Sequence, residues 1–196
     1  MKKGENWNHP VKGSLITVEP IRNPKDIKAI KRMLAGNPRD YCIFVLGINT
    51  NLRASDILKL RVRDVQGQDE LVLKEKKTGK IRRITLNDAV RKAINNLLAL
   101  MSNPDDESYL FLGLRGNPLT VPTLSRMVKT WCQAINLPGN YGSHSLRKTW
   151  GYHQRVSFGM GLPELMVCFN HSSQRQTLDY LCVQPEEVKN IYLNML

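Results

Sequence analysis

Two helix start signals, each an asparagine followed by proline, begin the regular part of the hydrophobic pattern. Asn23 precedes a segment in which apolar residues recur at helical spacing until Gly36, and this pattern predicts an amphipathic helix. Asn37 precedes the run CIFVLGI at 42–48, which has no polar face. A helix that is apolar on all sides belongs in the interior, so the second helix is predicted to lie in the core.

A hairpin is predicted in the next part of the chain. Ser55 can cap a short helix that runs to Leu60. The segments VRDV (62–65) and ELVLKE (70–75) then have a β-rich composition, and the turn KKTGK separates them from a further such run, IRRITL. Two β-rich runs around a turn that contains glycine are typical of a hairpin, here with a basic tip.

The second half of the chain has a mainly helical pattern. Asn87 caps a helix with one apolar stripe, and YLFL after it predicts a short strand or an extended buried run. From Thr120 onward, breaks at LPGNYG, FGMG and NHSS separate three short to medium helices. The order of these elements predicts an α+β fold, a mainly helical domain with a small antiparallel β-sheet.

Length and segment composition indicate one domain with two appendages. The chain has 196 residues, and a domain has about 150 on average. Residues 1–22 are polar, basic and broken by glycine and proline, which predicts a flexible arm. The domain is expected over 23–184, followed by a C-terminal helix over 185–196. Two interpretations of that helix stay open, because its apolar stripe suits docking on a neighbouring protomer or on its own core.

The charge of the chain points to a polyanionic partner. It has 29 basic and 17 acidic residues, a net charge of +12 and a sequence pI near 9.7. A hydrophobic fraction of 41% argues against disorder. Neither an apolar run of 18 residues nor a secretory signal is present, so membrane spanning and export are disfavoured and the cytoplasm is the expected compartment. Four cysteines without a CxxC pair give no sign of a disulfide framework.

Two arginine motifs could hold a phosphodiester. Arg53 lies in LRASDIL, where Asp56 could orient its side chain, and the alternative is an ordinary salt bridge at a helix start. In GSHSLRKTW, Ser143 is a plausible N-cap, so His144 and Arg147 would share the first turn of a helix. An imidazole, a guanidinium and a helix N-terminus would then face one phosphate. The alternative is a surface histidine beside a solvated arginine.

A tyrosine near the end of the chain offers a nucleophile. His171 stands in a turn of FNHSSQRQTLDYL, and Tyr180 follows nine residues later. A phenol with the ordinary pKa of about 10 is inert at neutral pH unless cations and a base assist its deprotonation. The nucleophile interpretation therefore depends on the arginines and histidines just described. The alternative is a core tyrosine with a solvated hydroxyl.

The predicted hairpin tip, KEKKTGKIRR, concentrates positive charge. Its lysines could protect a sheet edge from aggregation. Alternatively, the tip could reach into a DNA groove and present one lysine, as a general acid, to the leaving 5′ oxygen. The residue types do not decide which lysine that would be. The cations of this stretch are Lys74, Lys76, Lys77, Lys80, Arg82 and Arg83.

Taken in order, these motifs resemble the catalytic domain of the tyrosine recombinases, the phage integrase family. The resemblance covers residues 24–192 and consists of LRASD, a KTG hairpin, HSLR, NHSS and a tyrosine nine residues beyond the histidine of NHSS. The catalytic set that it implies is Arg53, Lys77, His144, Arg147, His171 and Tyr180, with Asp56 in support. The basic residues expected to contact DNA are Lys74, Lys76, Lys80, Arg82 and Lys148.

The resemblance implies a site-specific recombinase of the integrase or invertase kind, such as mobile genetic elements encode. Tyr180 would form a 3′-phosphotyrosyl link with DNA, and neither a cofactor nor a metal is implied. The implied partners are double-stranded DNA, further copies of a monomeric chain that assemble on it as a tetramer, and accessory DNA-bending proteins. The resemblance further implies that Arg53 and Arg147 clamp the phosphate and that His171 donates a hydrogen bond to it. It also implies that His144 assists the proton transfer of the tyrosine and that Lys77 protonates the leaving oxygen.

The chain departs from the family pattern at three places. Asn170 replaces the usual glycine before His171 and bears on the turn that aims this histidine. Asn51, with Asn49 nearby, stands where the family usually has glycine before Arg53. Family members also commonly carry a helical core-binding domain, where this chain has a short arm. A compact member similar to the fimbrial inversion recombinases and a catalytic piece of a longer protein both stay open.

Two other functions compete with recombination. An inactive DNA-binding regulator derived from such an enzyme is disfavoured because every catalytic position is filled. A type IB topoisomerase is disfavoured because HSLR and NHSS match the integrases more closely. A zinc site formed by Cys168, His171 and Cys182 is disfavoured because its spacing fits no usual zinc pattern.

Overall fold

The computed structural model describes residues 17–74, 81–181 and Leu193. Helices precede and follow a small antiparallel hairpin along the chain, which confirms the predicted α+β architecture. None of the helices in this part of the chain is both long and apolar enough to cross a membrane. The elements are α1 Pro24–Leu34, α2 Pro38–Asn49, α3 Ala54–Ile57, α4 Val62–Val65, β1 Glu70–Lys74, β2 Ile81–Thr85, α5 Asp88–Leu98, α6 Val121–Ala134, α7 Ser143–Val156, α8 Leu162–Phe169 and α9 Gln174–Leu181.

Helix α2 lies at the centre of the main core, as its apolar run predicts. Its residues 42–47 are buried, and it packs against α1, α5 and α7. Asn37 caps the helix by accepting a hydrogen bond from the backbone N–H of Asp40. Helix α7 approaches closely at Gly47, where an added Cβ would lie 2.6 Å from Leu146 Cδ1. The helix that carries the HSLR motif is therefore held against the centre of the domain.

Strands β1 and β2 form the predicted antiparallel hairpin. Glu70 pairs with Thr85 at one end, and Lys74 pairs with Ile81 at the other. Leu71 is buried against the main core. The basic turn that was predicted over 76–80 lies outside the described residues, so the hairpin is confirmed and its tip is untested.

The VRDV segment is helical, so the β structure suggested by its composition is wrong. Val62–Val65 forms α4, and Asp64 Oδ2 accepts a hydrogen bond from the backbone N–H of Arg61 at 2.8 Å. One helical turn buries both valines, and this packing outweighs the weak β preference of valine. The short helix before it also differs from the prediction, since its N-cap is Arg53 and not Ser55.

Four helices follow residue 120 in the described part of the chain, not the three predicted. The difference arises because three breaks delimit four segments, each long enough for a helix. Gly142 is the N-cap of α7, and Ser143, the predicted cap, is its first helical residue. Before α6, Leu110 and Phe111 of the YLFL run are buried and belong to no named strand. Of the two predicted alternatives, this agrees with the extended buried run.

The last residues of the predicted arm pack on the domain. Ile21 is fully buried, and its N–H donates to Thr149 Oγ1 at 2.8 Å. Its carbonyl oxygen lies 3.0 Å from His153 Nε2, and both partners belong to α7. The predicted arm is therefore wrong over 17–22. Residues 1–16 and, apart from Leu193, the predicted C-terminal helix lie outside the described residues.

Candidate active site

Helix α7 carries His144 and Arg147 near its start, and the two residues differ in burial. His144 is exposed, whereas Arg147 is only 3% exposed. Arg147 Nη2 donates to the backbone oxygen of Phe169 at 3.0 Å, at the C-terminal end of α8. Its Nη1 is buried without a hydrogen-bond partner among the described residues. A buried guanidinium nitrogen in this state is costly, and an incoming anion would satisfy it.

The electrostatic surroundings of Arg147 come from several elements. Burial lowers the pKa of its guanidinium to about 10; Tyr180 and Asp56 oppose this effect, and Arg53 and Arg82 add to it. The group remains protonated at neutral pH. Arg53 at the start of α3 and Arg82 on β2 therefore belong to the same charged cluster as Arg147. Support of Arg53 by Asp56 stays a prediction.

Three rings pack beside Arg147. Phe169 and His171 stack with their centroids 5.0 Å apart, and the Tyr180 ring lies 5.0 Å from Phe169 and 5.5 Å from His171. The guanidinium carbon of Arg147 lies 5.9 Å from the centroid of the Tyr180 ring. The hydroxyl oxygen of Tyr180 is buried. The structure thus brings together Arg147, His171 and Tyr180 from α7, the α8–α9 turn and α9.

Thr177, which the sequence analysis did not single out, orients His171. It is fully buried on α9, and its Oγ1 lies 3.0 Å from His171 Nδ1. This contact leaves Nε2 of His171 as the nitrogen that can meet a substrate. Thr177 precedes Tyr180 by three residues and so shares its side of the helix. That spacing was the available signal in the sequence.

Both site histidines are mainly neutral at neutral pH. His144 is exposed as a residue, yet the protein packed around its imidazole lowers its pKa, and the positive charges of Arg147, Lys148 and Arg53 add to this effect. Burial also lowers the pKa of His171, with further lowering by Arg147 and Arg53. Nearby cations disfavour a second positive charge on the ring. Both imidazoles can therefore accept or relay a proton near pH 7.

The two asparagines at family glycine positions have left-handed backbone conformations. Asn51 has a φ of 54°, and Asn170, the C-cap of α8, has a φ of 55°. Glycine and asparagine adopt this region more readily than other residues, so both turns keep a glycine-like backbone. The N–H of His171 donates to Met166 O at 3.0 Å. This bond fixes His171 directly after the end of α8.

The predicted DNA contacts of the hairpin are only partly described. Arg82 is half-buried, and its Nη2 donates to the backbone oxygen of Cys168 at 2.8 Å. Lys74 ends β1, but its side chain is not described. The choice of Lys77 as general acid therefore stays a prediction. The hairpin lysines outside the described residues are Lys76, Lys77 and Lys80.

Lys148 is buried in the DNA-free protein, as its neighbour Arg147 is. It is 5% exposed, and its Nζ lies 5.4 Å from the centroid of the Tyr180 ring. A cation above an aromatic face is attracted by the ring. In the DNA-free protein, α9 packs against α7 and the ammonium group lies against the tyrosine ring, so the expected DNA contact of Lys148 stays a prediction.

A small second apolar cluster fixes α8 and α9 on α7. It consists of Leu165, Phe169 and Leu181, with Tyr180 packed against it. Gly151 of α7 allows the close approach, since an added Cβ would lie 2.5 Å from Phe169 Cζ and 2.9 Å from Leu181 Cδ2. The position of Tyr180 therefore depends on the absence of a side chain at Gly151.

We expect Gly151→Ala to displace Phe169 and Leu181 and to lower the free energy of unfolding. Overpacking a buried site by one methyl group costs about 1–3 kcal/mol, which thermal unfolding followed by circular dichroism would detect. Gly36→Ala is the matched control, because an added Cβ there meets nothing within 4 Å. Equal unfolding midpoints for Gly151→Ala and the unchanged protein would contradict the tight packing of α7 against α8.

Sequence comparison finds relatives along most of the chain. The sequence pattern of the phage integrase family matches residues 23–187. The probable integrase/recombinase YoeC of Bacillus subtilis is 36% identical over 179 residues, which cover 89% of this chain and 95% of YoeC. The tyrosine recombinase XerC of Caldanaerobacter subterraneus is 30% identical over 154 residues, which cover 77% of this chain but 43% of that relative.

Solved structures share the fold at low sequence identity. The crystal structure of XerA recombinase superposes with a TM-score of 0.75 at 19% identity, covering 93% of this chain and 66% of XerA. The XerH site-specific recombinase in a post-cleavage complex with its palindromic difH substrate gives a TM-score of 0.70 at 16% identity, covering 95% of this chain and 56% of XerH. These likenesses confirm the expected fold.

Proposed function

Since the chain belongs to the phage integrase family, we propose that it is a site-specific DNA recombinase that cleaves and rejoins DNA through a 3′-phosphotyrosyl link. The observation that carries this proposal is the cluster around buried Arg147, whose Nη1 has no partner in the described part of the chain. Tyr180 and His171 lie beside it. A buried cation next to a nucleophile suits a phosphate that enters for reaction.

Tyr180 is the nucleophile of the proposed cleavage step. Its phenolic oxygen bonds to the scissile phosphorus and loses its proton, while the bond from phosphorus to the 5′ oxygen breaks and that oxygen gains a proton. The phosphotyrosyl link retains the energy of the phosphodiester. A 5′ hydroxyl from a partner strand can therefore reverse the step and rejoin DNA without ATP. Because the hydroxyl oxygen is buried in the DNA-free protein, DNA binding has to open a path to it.

Arg53 and Arg147 stabilise the negative charge that develops on the nonbridging oxygens. The charge of Arg53 helps to lower the pKa of Arg147, which supports the proposal that both guanidinium groups bind the same phosphate. Cations that are already in position need no reorganisation when the transition state forms. The pair therefore serves the reaction step more than it serves the initial binding of DNA.

The histidines and the hairpin handle protons in this proposal. His144, exposed and mainly neutral, accepts the proton of the tyrosine. Because Nδ1 of His171 lies 3.0 Å from Thr177 Oγ1, Nε2 is the nitrogen that meets the phosphate, and in the tautomer with a proton on Nε2 it donates to a phosphate oxygen. Lys77 protonates the leaving 5′ oxygen, with Lys76 and Lys80 as the substitutes that the sequence leaves open.

We expect cleavage to persist at mildly acidic pH. Burial lowers the pKa of His144 from its ordinary value, so the imidazole is still mainly neutral at about pH 6.5, and a rate that needs the neutral base falls only at lower pH. The measurement is the initial rate of covalent complex formation between about pH 5 and 8. His144→Gln should flatten the acidic limb. If acidification has already halved the rate while the pH is still above about 6.5, this role of His144 is contradicted.

Double-stranded DNA is the proposed substrate and partner. The net charge of +12 favours a polyanion, and XerH, which shares the fold, was solved on its DNA substrate. Strand exchange between two duplexes requires four active sites, so we propose that monomers assemble as a tetramer on DNA. Accessory DNA-bending proteins and a cytoplasmic location complete the proposal.

Recovery of covalently bound DNA tests this function. The protein is expressed in cells and purified under denaturing conditions, and any attached DNA is sequenced. Attachment at one repeated sequence supports site-specific recombination and identifies the target. Attachment scattered over many sequences would instead favour a topoisomerase, and a protein free of DNA would count against the cleavage chemistry.

A further inference from the structure

The backbone carbonyl of Cys168 joins three segments of the site. Asn51 Nδ2 donates to this oxygen at 2.7 Å, and Arg82 Nη2 donates to it at 2.8 Å. Asn51 stands two residues before Arg53, and Arg82 lies on β2 just after the hairpin tip. Cys168 precedes His171 by three residues. One oxygen thus links the Arg53 loop, the hairpin and the His171 turn.

The end of α8 depends on side chains from the site for its hydrogen bonds. The last four carbonyl groups of a helix have no partner inside the helix. Here the oxygens of residues 166 and 167 accept bonds from the N–H groups of His171 and Asn170 in the following turn. The oxygens of residues 168 and 169 accept bonds from Asn51 and Arg82 and from Arg147. Site side chains therefore hold half of this helix end in place.

The side chain of Asn51 carries a cost to the stability of the folded protein. It is 1% exposed with a φ of 54°, and its Oδ1 is buried without a hydrogen-bond partner among the described residues. Rotating the amide would not help, because Oδ1 would then face the Cys168 oxygen. A buried acceptor in this state costs about 1–3 kcal/mol. Glycine would supply the same backbone without a buried unpaired acceptor, and what Asn51 adds to the structure is the bond that its amide donates.

We propose that Asn51 is a positioning residue whose amide holds the His171 turn against the Arg53 loop. The effect of this positioning on DNA cleavage rests on the proposed function. The hydrogen bond from Asn51 to Cys168 O is a feature of this chain, because a glycine at this position has no side chain that could donate a hydrogen bond. This hydrogen bond keeps Arg53 and His171, which belong to different elements, in a fixed relative position before DNA binds.

Amide hydrogen exchange on the DNA-free protein tests the hydrogen bond between Asn51 and Cys168 without any need for catalysis. In Asn51→Gly, loss of one hydrogen bond should speed the exchange of the Asn170 and His171 amides about tenfold, while amides of α5 keep their rates. Asn51→Asp retains the shape but not the donor and should give the same result. Asn136→Gly is the matched control, since Asn136 is also left-handed, with a φ of 55°. Unchanged exchange at Asn170 and His171 would overturn the proposal.

Cleavage gives the second measurement. The single-turnover rate of Asn51→Gly should fall about tenfold, while its DNA dissociation constant stays within about twofold of the unchanged protein. Equal cleavage rates would overturn the positioning role. If the unchanged protein forms no adduct, the proposed function fails, and the exchange experiment alone decides whether Asn51 holds the His171 turn.

Discussion

Tyr180→Phe is expected to abolish covalent DNA adducts while leaving DNA affinity within about twofold, a loss in cleavage rate of about a thousandfold or more. The substitution removes only the oxygen that would bond to phosphorus. The ring contacts with Phe169 and His171, at centroid distances of 5.0 and 5.5 Å, are kept, so the fold should be unaffected. Denaturing gels with labelled DNA that carries the recovered target site measure the adduct, and a separate titration measures affinity.

Tyr109→Phe is the matched control for this experiment. Tyr109 is half-buried, and its ring lies 4.5 Å from the guanidinium carbon of Arg61, outside the site. This variant should form adducts as the unchanged protein does. Adducts that persist in Tyr180→Phe would refute the nucleophile assignment. A fall in DNA affinity equal to the fall in rate would show that the hydroxyl group serves binding.

Helix start signals predicted much of the fold because they act locally. Asn23, Asn37 and Asn87 each accept a backbone hydrogen bond at the start of a helix, as their positions predict. The four-residue segment Val62–Val65 shows the limit of this reasoning. Its composition favours β structure, but one turn of helix with Asp64 near its start buries both valines. Burial against the rest of the domain cannot be read from so short a pattern.

The burial of the candidate site residues could not be predicted, although the proximity of two of them on one helix could. HSLR places His144 and Arg147 close together on one helix, and this is a local fact. That Arg147 is buried and His144 exposed depends on α8 and α9, which cover one side of α7. Their approach is permitted by Gly151, whose role becomes visible only when the partner side chains are known. The left-handed Asn51 likewise has a partner 117 residues away in sequence.

Lys148 shows what tertiary packing adds to an electrostatic prediction. A lysine in a chain with a net charge of +12 is most simply expected to contact phosphate. The packing of α9 on α7 brings the ammonium group of Lys148, like the guanidinium group of Arg147, close to the Tyr180 ring. Lys148 therefore belongs to the surroundings of Tyr180, which sequence spacing alone does not reveal.

Arg147→Ala is expected to slow single-turnover cleavage about 100–1,000-fold while weakening DNA binding far less. The buried guanidinium offers Nη1 to the phosphate while Nη2 holds the Phe169 oxygen, and charge on the phosphate oxygens grows only in the transition state. Arg147→Lys keeps the charge but lacks the rigid two-nitrogen fork. It should also be slow, by about 100-fold. Single-turnover rates and dissociation constants for one labelled DNA site separate the two effects.

Arg91→Lys controls for the loss of a guanidinium elsewhere, because Arg91 pairs with Asp69 and Asp88 on the surface of α5. It should cleave at the unchanged rate. Full activity of Arg147→Lys would mean that charge alone suffices and would contradict the two-bond role. Equal losses of rate and affinity in Arg147→Ala would mean that Arg147 only anchors DNA. Thermal unfolding of both Arg147 variants shows whether the unpaired Phe169 oxygen weakens the fold, and a slow variant that unfolds normally assigns its defect to the reaction itself.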